Sequence, residues 1–357
     1  LLEECVKTVN DSPHPVIAVD IPTGLMTDGS DMDGSMMHCR HTVSFQFPKL
    51  GFLLPPQGEA TESFEVLDIG LHSAYIQEVK TPFFFMDETA VRPLIRRRFT
   101  FSHKGDYGHV LLIAGSDNMA GAAVLSAQGA LRIGAGKLSV RAADRVGWAI
   151  QNRLPEAMLD KGEAPKGLTY VIGPGMGRQK QSMQRLIEAL EENNKPLVLD
   201  ADGLFLLAEN KALWKSIPEF SILTPHPGEF ARLTGMPYAG KKGMQAAMRF
   251  AQNKRVYVLV KGAYSAVYCP DGSVYFNASG NPAMAKGGSG DVLAGVIGGL
   301  LAQEYSPLEA AILGNFLHGK AGDLCTEQMG WLSVLATDIC DHLGKALLSL
   351  IEEEPKG

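Results

Sequence analysis

His109-Val110-Leu111-Leu112-Ile113-Ala114 leads, past a Gly115-Ser116 turn, into the segment Met119 to Ile133 and then into Lys137 to Ala142. The first and last are short apolar runs of the kind that fill buried strands, and the longer segment between them reads as a helix. Strand, helix and strand in that order make a crossover unit, which joins parallel strands. The same alternation continues toward the C-terminus. Thr169–Ile172, Pro196–Asp200, Ser221–Thr224 and Val256–Lys261 read as strands, with helices over Lys180–Asn193 and Gly243–Asn253. Ala266–Tyr268 and Val274–Phe276 flank Pro270-Asp271-Gly272, a hairpin signature. Helices over Gly290–Gln303, Pro307–Gln328 and Val334–Ile351 close the chain. The predicted fold class is α/β: a mostly parallel sheet flanked by helices, with one local antiparallel addition. Ligands of such sheets gather at the carboxyl ends of the strands.

Toward the N-terminus the pattern is thinner. After a helix from Leu1 to Val9, Pro15–Asp20 is an apolar strand that stops at Ile21-Pro22-Thr23-Gly24, and Thr42–Phe47 and Phe64–Ile69 are two more strand-like runs. This is half of an α/β sheet, small for independent stability. The chain starts without Met inside its first helix, so an N-terminal part is expected to be missing. Residues 72 to about 98 read as a connection, with Phe83-Phe84-Phe85 as an apolar spot that docks on a neighbour. The expected division is 1–75, a linker over 76–99, and a main domain over 100–357.

Composition excludes several classes. The 357 residues are 45% hydrophobic and 20% charged with a net charge of -6, and no basic stripe that would follow a nucleic-acid backbone is present. Arg96-Arg97-Arg98 reads as a solvated linker in preference to a phosphate contact. Cys5, Cys39, Cys269, Cys325 and Cys340 are odd in number and scattered, which points to reduced thiols and a cytoplasmic setting without a disulfide frame or zinc site. No apolar run is long enough for a membrane span, and no signal peptide is visible.

The chemistry concentrates in turns. Asn281-Pro282-Ala283-Met284-Ala285-Lys286-Gly287-Gly288-Ser289-Gly290-Asp291 runs into the apolar helix Val292–Leu301. Helix N-terminal N–H groups attract anions and glycines let the anion approach, so Gly288, Ser289 and Gly290 are candidate phosphate contacts, with Asp291 placed as a base beside them. Three further turns end strands: Gly173-Pro174-Gly175-Met176-Gly177, Pro225-His226-Pro227-Gly228-Glu229, and Lys261-Gly262. Lys104-Gly105-Asp106-Tyr107-Gly108 is a flap or a plain turn, and Gly121-Ala122-Ala123 opens a helix with small residues that either pack tightly or admit a ligand.

These motifs, with Ala114-Gly115-Ser116, Arg132-Ile133-Gly134-Ala135-Gly136, Leu199-Asp200-Ala201-Asp202-Gly203 and Val260-Lys261-Gly262, occur in the order found in the ADP-dependent NAD(P)H-hydrate dehydratases. Residues from about 100 to 350 closely resemble that family, part of the ribokinase-like superfamily. The resemblance implies Asp291 as catalytic residue, and Ala122, Gly175, Gly177, His226 and Asp291 facing the hydrated nicotinamide dinucleotide. It also implies Lys261, Gly262, Ala263, Tyr264, Ser265 and Gly290 at the adenine nucleotide, with ADP as co-substrate and Mg2+ sharing its charge. The His-Pro-Gly-Glu wording resembles the ADP-using branch, since ATP-using relatives usually carry Asn at the position of His226.

Residues 1 to about 75 resemble the C-terminal half of the NAD(P)H-hydrate epimerase domain, a Rossmann-like unit, through Ala18-Val19-Asp20-Ile21-Pro22-Thr23-Gly24, the Gly29 turn and Asp68-Ile69-Gly70. By that resemblance Asp20 contacts substrate and Thr23 helps hold K+. The family's Gly- and Asn-rich nucleotide loop lies upstream of the matching residues, so this epimerase part is expected to be incomplete. NAD(P)HX and ADP are the expected small-molecule partners, and helices with small residues predict a homo-oligomer. Two alternatives remain at this level: a ribokinase-like kinase of a vitamin precursor, and an idle nucleotide-binding scaffold.

Overall fold

The structure, a computed structural model, describes residues 2–31, 34–162, 165 and 167–351. Near the N-terminus β1 (Ile17–Val19), β2 (His41–Phe45) and β3 (Phe64–Leu67) form a three-stranded parallel sheet in that order. Its strands alternate. Ala18, Thr42 and Ser44 are buried on the inner face, whereas Ile17 and Val19 are 66% and 70% exposed. The register sets Val19 beside Val43 and Phe45 beside Leu67, so the outer face is a run of apolar side chains with little over it. Parallel sheets are ordinarily covered on both faces.

This small sheet is not a free appendage. Leu25, Phe52, Leu53, Leu54 and Ala60 are buried in the same apolar cluster as Met244, Tyr268 and Phe276. Backbone bonds fasten it, with Gly240 N–H donating to the Pro55 carbonyl at 2.6 Å and Lys241 N–H to that of Gly29 at 3.1 Å. Lys241 and Lys242 pair with Asp28 and Asp31 at 2.5 and 2.7 Å.

The apolar spot in the connecting segment is itself a strand, β4 (Phe83–Met86), lying parallel to a strand of the main sheet, with Phe84 stacked on Tyr275 at 4.8 Å. The arginines that follow are docked as well as solvated. Arg96 pairs with Glu309 at 3.0 Å over the Tyr305 ring, and Arg98 donates to the Gly134 carbonyl over the Tyr107 ring.

Nine further strands complete the main sheet: β5 (His109–Ile113), β6 (Lys137–Arg141), β7 (Met158–Leu159), β8 (Thr169–Ile172), β9 (Val198–Leu199), β10 (Ile222–Leu223), β11 (Tyr257–Val260), β12 (Ala266–Tyr268) and β13 (Val274–Asn277). The order is β4-β13-β12-β11-β10-β9-β8-β5-β6-β7. Only the pairs around β12 are antiparallel, as the hairpin signature required. Helices cover both faces. Helix Ser289–Ala302 is buried almost all round and lies against helix Ala120–Arg132. Gly295 permits that approach, since a Cβ there would stand 1.9 Å from the Ser126 carbonyl oxygen.

Three short helices of the main domain, Asp144–Arg153, Ala201–Glu209 and Pro227–Thr234, were not legible as helices. The last starts inside the turn Pro225–Glu229. Proline at its first position is pre-set for a helix, and His226 and Glu229 form a reciprocal capping box.

Candidate active site

The carboxyl ends of β8, β9, β10 and β11 meet the start of helix Ser289–Ala302. Gly288 stands before that helix at φ +95°, a conformation costly for any residue with a Cβ, and no side chain caps the first turn. The helix mouth is therefore open to an anion. Lys261, at the end of β11, points into it: its Nζ would lie 3.2 Å from a Cβ placed on Gly290.

The Lys261 ammonium donates to Asp200 Oδ1 at 2.8 Å and stands 4.0 Å from Glu229 Oε2. Burial pushes the lysine pKa down, but Asp200, Glu229 and Asp291 outweigh it, so the group ends above the ordinary lysine value and stays charged. Asp200, only 2% exposed at its side chain, is thus committed to an ion pair. Asp291 is placed differently. Burial first, then the negative field of Asp200, raise its pKa to about 7 against the opposing pull of Lys261. A carboxylate poised there holds or takes a proton near neutrality, which suits a general base.

The rim residues surround this centre. His226 Nδ1 accepts from Gly228 N–H at 3.0 Å and Glu229 N–H at 3.4 Å. That nitrogen therefore acts as the acceptor, and Nε2, on a half-exposed ring, is left as the donor, 3.5 Å from Glu229 Oε1. Ala122, at the start of helix Ala120–Arg132, faces Gly175, where a Cβ would come within 2.7 Å of the alanine methyl. Gly177 N–H donates to Asp202 Oδ2 at 2.9 Å, and Arg178 donates to the other oxygen at 2.7 Å. Asp202 also adds to the field that raises the Asp291 pKa, which ties this turn to the centre.

The segment from Lys261 to Ser265 is a tight arc between β11 and β12. Ser265 Oγ accepts from Gly262 N–H and donates to the Gly262 carbonyl, both at 3.1 Å. Beneath the helix mouth, Ser289 Oγ lies 3.3 Å from Nε2 of buried His318, whose pKa burial lowers to about 4, so it stays neutral.

The structure brings Ala122, Gly175, Gly177, His226, Lys261–Ser265, Gly288–Gly290 and Asp291 to one edge of the sheet. Asp20 and Thr23 are not there. Asp20 ends β1 of the small sheet, accepting from Lys49 at 3.0 Å and from Phe45 N–H at 3.2 Å. The Lys49 hydrogen bond holds its pKa below the usual carboxylate value, and Thr23 is exposed. Lys104–Gly108 is a turn at the amino end of β5, beside Gly136 and away from the strand ends that carry Lys261 and Asp200. Two shallow hollows of about 540 and 550 Å³ also lie at amino ends of strands, one beside Ile17 and His41 and one beside Tyr257, so neither marks the site.

Asp200 as the partner of Lys261, the Asp202 brace and His318 were missed as working residues, whereas Lys261 itself was named from the sequence. Acids directly after a short apolar strand were the available signal for the first two, and His318 had none. No cluster of three or more metal-binding side chains exists among the described residues. The acids Asp200, Asp202, Glu229 and Asp291 nevertheless outnumber the cations Lys261 and Arg178 here, so Mg2+ arriving on a diphosphate fits the local charge without a protein cage.

This geometry and fold define a ribokinase-like α/β protein: the crystal structure of a ribokinase-like superfamily protein from Enterococcus faecalis overlays with a TM-score of 0.69 at 26% identity, covering 76% of this chain and 98% of that one. The relationship is narrower still. Residues 110–345 match the family model described as NAD(P)H-hydrate dehydratase, and residues 2–51 match that of the YjeF-related protein N-terminus. The chain belongs to the NAD(P)H-hydrate dehydratase family. It is 34% identical to the bifunctional NAD(P)H-hydrate repair enzyme Nnr of Moorella thermoacetica, over 98% of this chain and 69% of that protein. It is 37% identical to the ADP-dependent (S)-NAD(P)H-hydrate dehydratase of Bacillus subtilis, over 72% and 96%. A Bacillus subtilis ADP/ATP-dependent NAD(P)H-hydrate dehydratase co-crystallised with ATP/Mg2+ has a TM-score of 0.67 at 35% identity, covering 75% of this chain and 98% of that one.

Proposed function

We propose that this chain repairs hydrated NADH and NADPH by ADP-dependent dehydration, with Asp291 as the base. Hydroxide is a poor leaving group. Asp291 takes the proton of the substrate's C6 hydroxyl as that oxygen attacks the terminal phosphorus of ADP; the phosphoanhydride bond breaks and AMP departs. The ring nitrogen's lone pair then expels phosphate from C6, and loss of the proton from the neighbouring carbon restores the nicotinamide double bond. The products are NAD(P)H, AMP and phosphate.

Each neighbour has a part in this scheme. Lys261 and the open amides at Gly288–Gly290 hold the phosphoryl charge, and Lys261–Ser265 cradle the nucleotide. His226, Ala122, Gly175 and Gly177 line the dinucleotide side, with His226 Nε2–H as a donor. Mg2+, when bound with the nucleotide, neutralises phosphate oxygens. Asp20 and Thr23 belong to the YjeF-type portion; K+ at Thr23 would serve epimerisation there, and no step of the dehydration depends on it.

The observation that carries this scheme is the Asp291 carboxyl with its pKa near 7 at the mouth of a helix, beside a charged lysine. Asp291→Asn should lower ADP-dependent NADH formation, followed by absorbance, by roughly 10²- to 10⁴-fold with ADP affinity retained. Parental turnover in that variant removes Asp291 from the role. A stable phosphorylated product without NADH would instead indicate a small-molecule kinase.

A further inference from the structure

The small N-terminal sheet supplies none of the reacting groups, yet it touches the nucleotide segment through one ring. Phe64, on the inner face of β3, is stacked on Phe52 at 4.9 Å, and its centroid lies 5.7 Å from that of Tyr264 and 6.5 Å from that of Phe85. Tyr264 is half-buried against these rings, while its neighbours Gly262 and Ala263 are exposed. The arc is pinned at one end by Lys261 on Asp200 and at the other by Ser265 on Gly262 and by Asn277 N–H on the Ser265 carbonyl. Between those ends the Tyr264 ring is the large apolar anchor of the arc.

We infer that Phe64 is a positioning residue for the adenine-nucleotide site: the N-terminal sheet holds Tyr264, and with it the arc Gly262–Ser265, in the shape that receives ADP. This rests on the assignment of Lys261–Ser265 to the nucleotide made above. A loop already held in its bound form loses less freedom on binding, so its support shows in affinity. Phe64 touches neither Asp291 nor Lys261, and the chemical step is left alone. The N-terminal sheet thereby becomes a working part of the dehydratase, independent of any epimerase activity.

The test uses the full chain and three variants, Phe64→Ala, Tyr264→Ala and the double. Phe64→Ala should raise KM and Kd for ADP by roughly two- to ten-fold, the range expected from losing an aromatic contact, with kcat unchanged. The double variant should bind ADP no more weakly than Tyr264→Ala alone, because the two act through one contact. Hydrogen exchange of residues 261–265 with and without ADP separates the two layers. Lack of protection by ADP in the parent chain defeats the nucleotide assignment, and this inference with it. Protection in the parent, together with an unchanged KM in Phe64→Ala or additive effects in the double variant, overturns the role of Phe64 alone. Should Phe64→Ala fail to fold, Phe64→Leu keeps an apolar side chain and should shift KM in the same direction by less; an unchanged KM there overturns the inference equally.

Discussion

Asp20 and Asp200 occupy equivalent places in two sheets, and only one of them stands in the candidate active site. Each stands where a parallel strand ends, and each accepts from a lysine, Lys49 at 3.0 Å and Lys261 at 2.8 Å. Their surroundings differ. The side chain of Asp20 is 41% exposed, in a sheet with one bare face, and no further acid contributes to its lowered pKa. Asp200 is 2% exposed, under helices on both faces, and its charge reaches Asp291. Burial turns a lysine–carboxylate pair from a surface contact into a source of field, and that field adds to the burial of Asp291 in raising its pKa.

The difference is largest when the lysines are removed. Lys261→Met leaves Asp200 buried and unpaired and should lower stability by about 3 kcal/mol, with turnover lost. Lys49→Met should cost less than about 1 kcal/mol. Urea unfolding of both variants reads this directly, and equal costs would break the comparison. Replacing both partners, Lys261→Met with Asp200→Leu, should return most of the stability and none of the activity.

The next effect is a pH dependence. Asp291 has a folded pKa near 7 against 3.8 for the model carboxyl, so its ionisation opposes folding. Asp291→Asn should melt at a higher temperature than the parent above pH 7. That advantage should shrink as pH falls through 7 and vanish below about 4, where the acid is protonated in both states. Parental turnover should likewise fall as pH drops below about 7. A melting difference constant from pH 4 to 8 would show that Asp291 titrates normally.

Smaller effects sharpen the other side. Asp20→Asn should leave dehydratase kcat/KM within about two-fold of the parent, the scatter of an ordinary surface change. A larger loss in NADH formation would mean that the small sheet takes part in the chemistry. Smallest of all, Val19→Thr on the bare face should alter stability by no more than about 0.5 kcal/mol. A cost well above that in denaturant titration would show the face to be covered in solution.

Much of this was legible before any coordinates. The crossover units from His109 onward, the hairpin at Pro270–Gly272 and the long C-terminal helices follow from local spacing, which backbone geometry reads residue by residue. The Gly287–Asp291 mouth was visible for the same reason, since an anion-binding helix start is a local object. Phe83–Met86 looked like linker because a strand at a sheet edge needs a partner far away in sequence, here β13. The helix at Pro227 hid inside a turn motif because its capping box spans only four residues.

The residues alone determined the α/β class, the family, and which turns are candidates for the site, because glycines, prolines and acids in fixed order encode backbone shape and functional groups without reference to distant neighbours. Folding in three dimensions decided which acid has its pKa raised to about 7 and which is a counter-ion, that Asp20 stands outside the candidate site, and that a phenylalanine of the small sheet leans on Tyr264. Those outcomes depend on burial and on charges brought together across more than a hundred residues, and a proton's affinity for a carboxylate is set by what surrounds it in space.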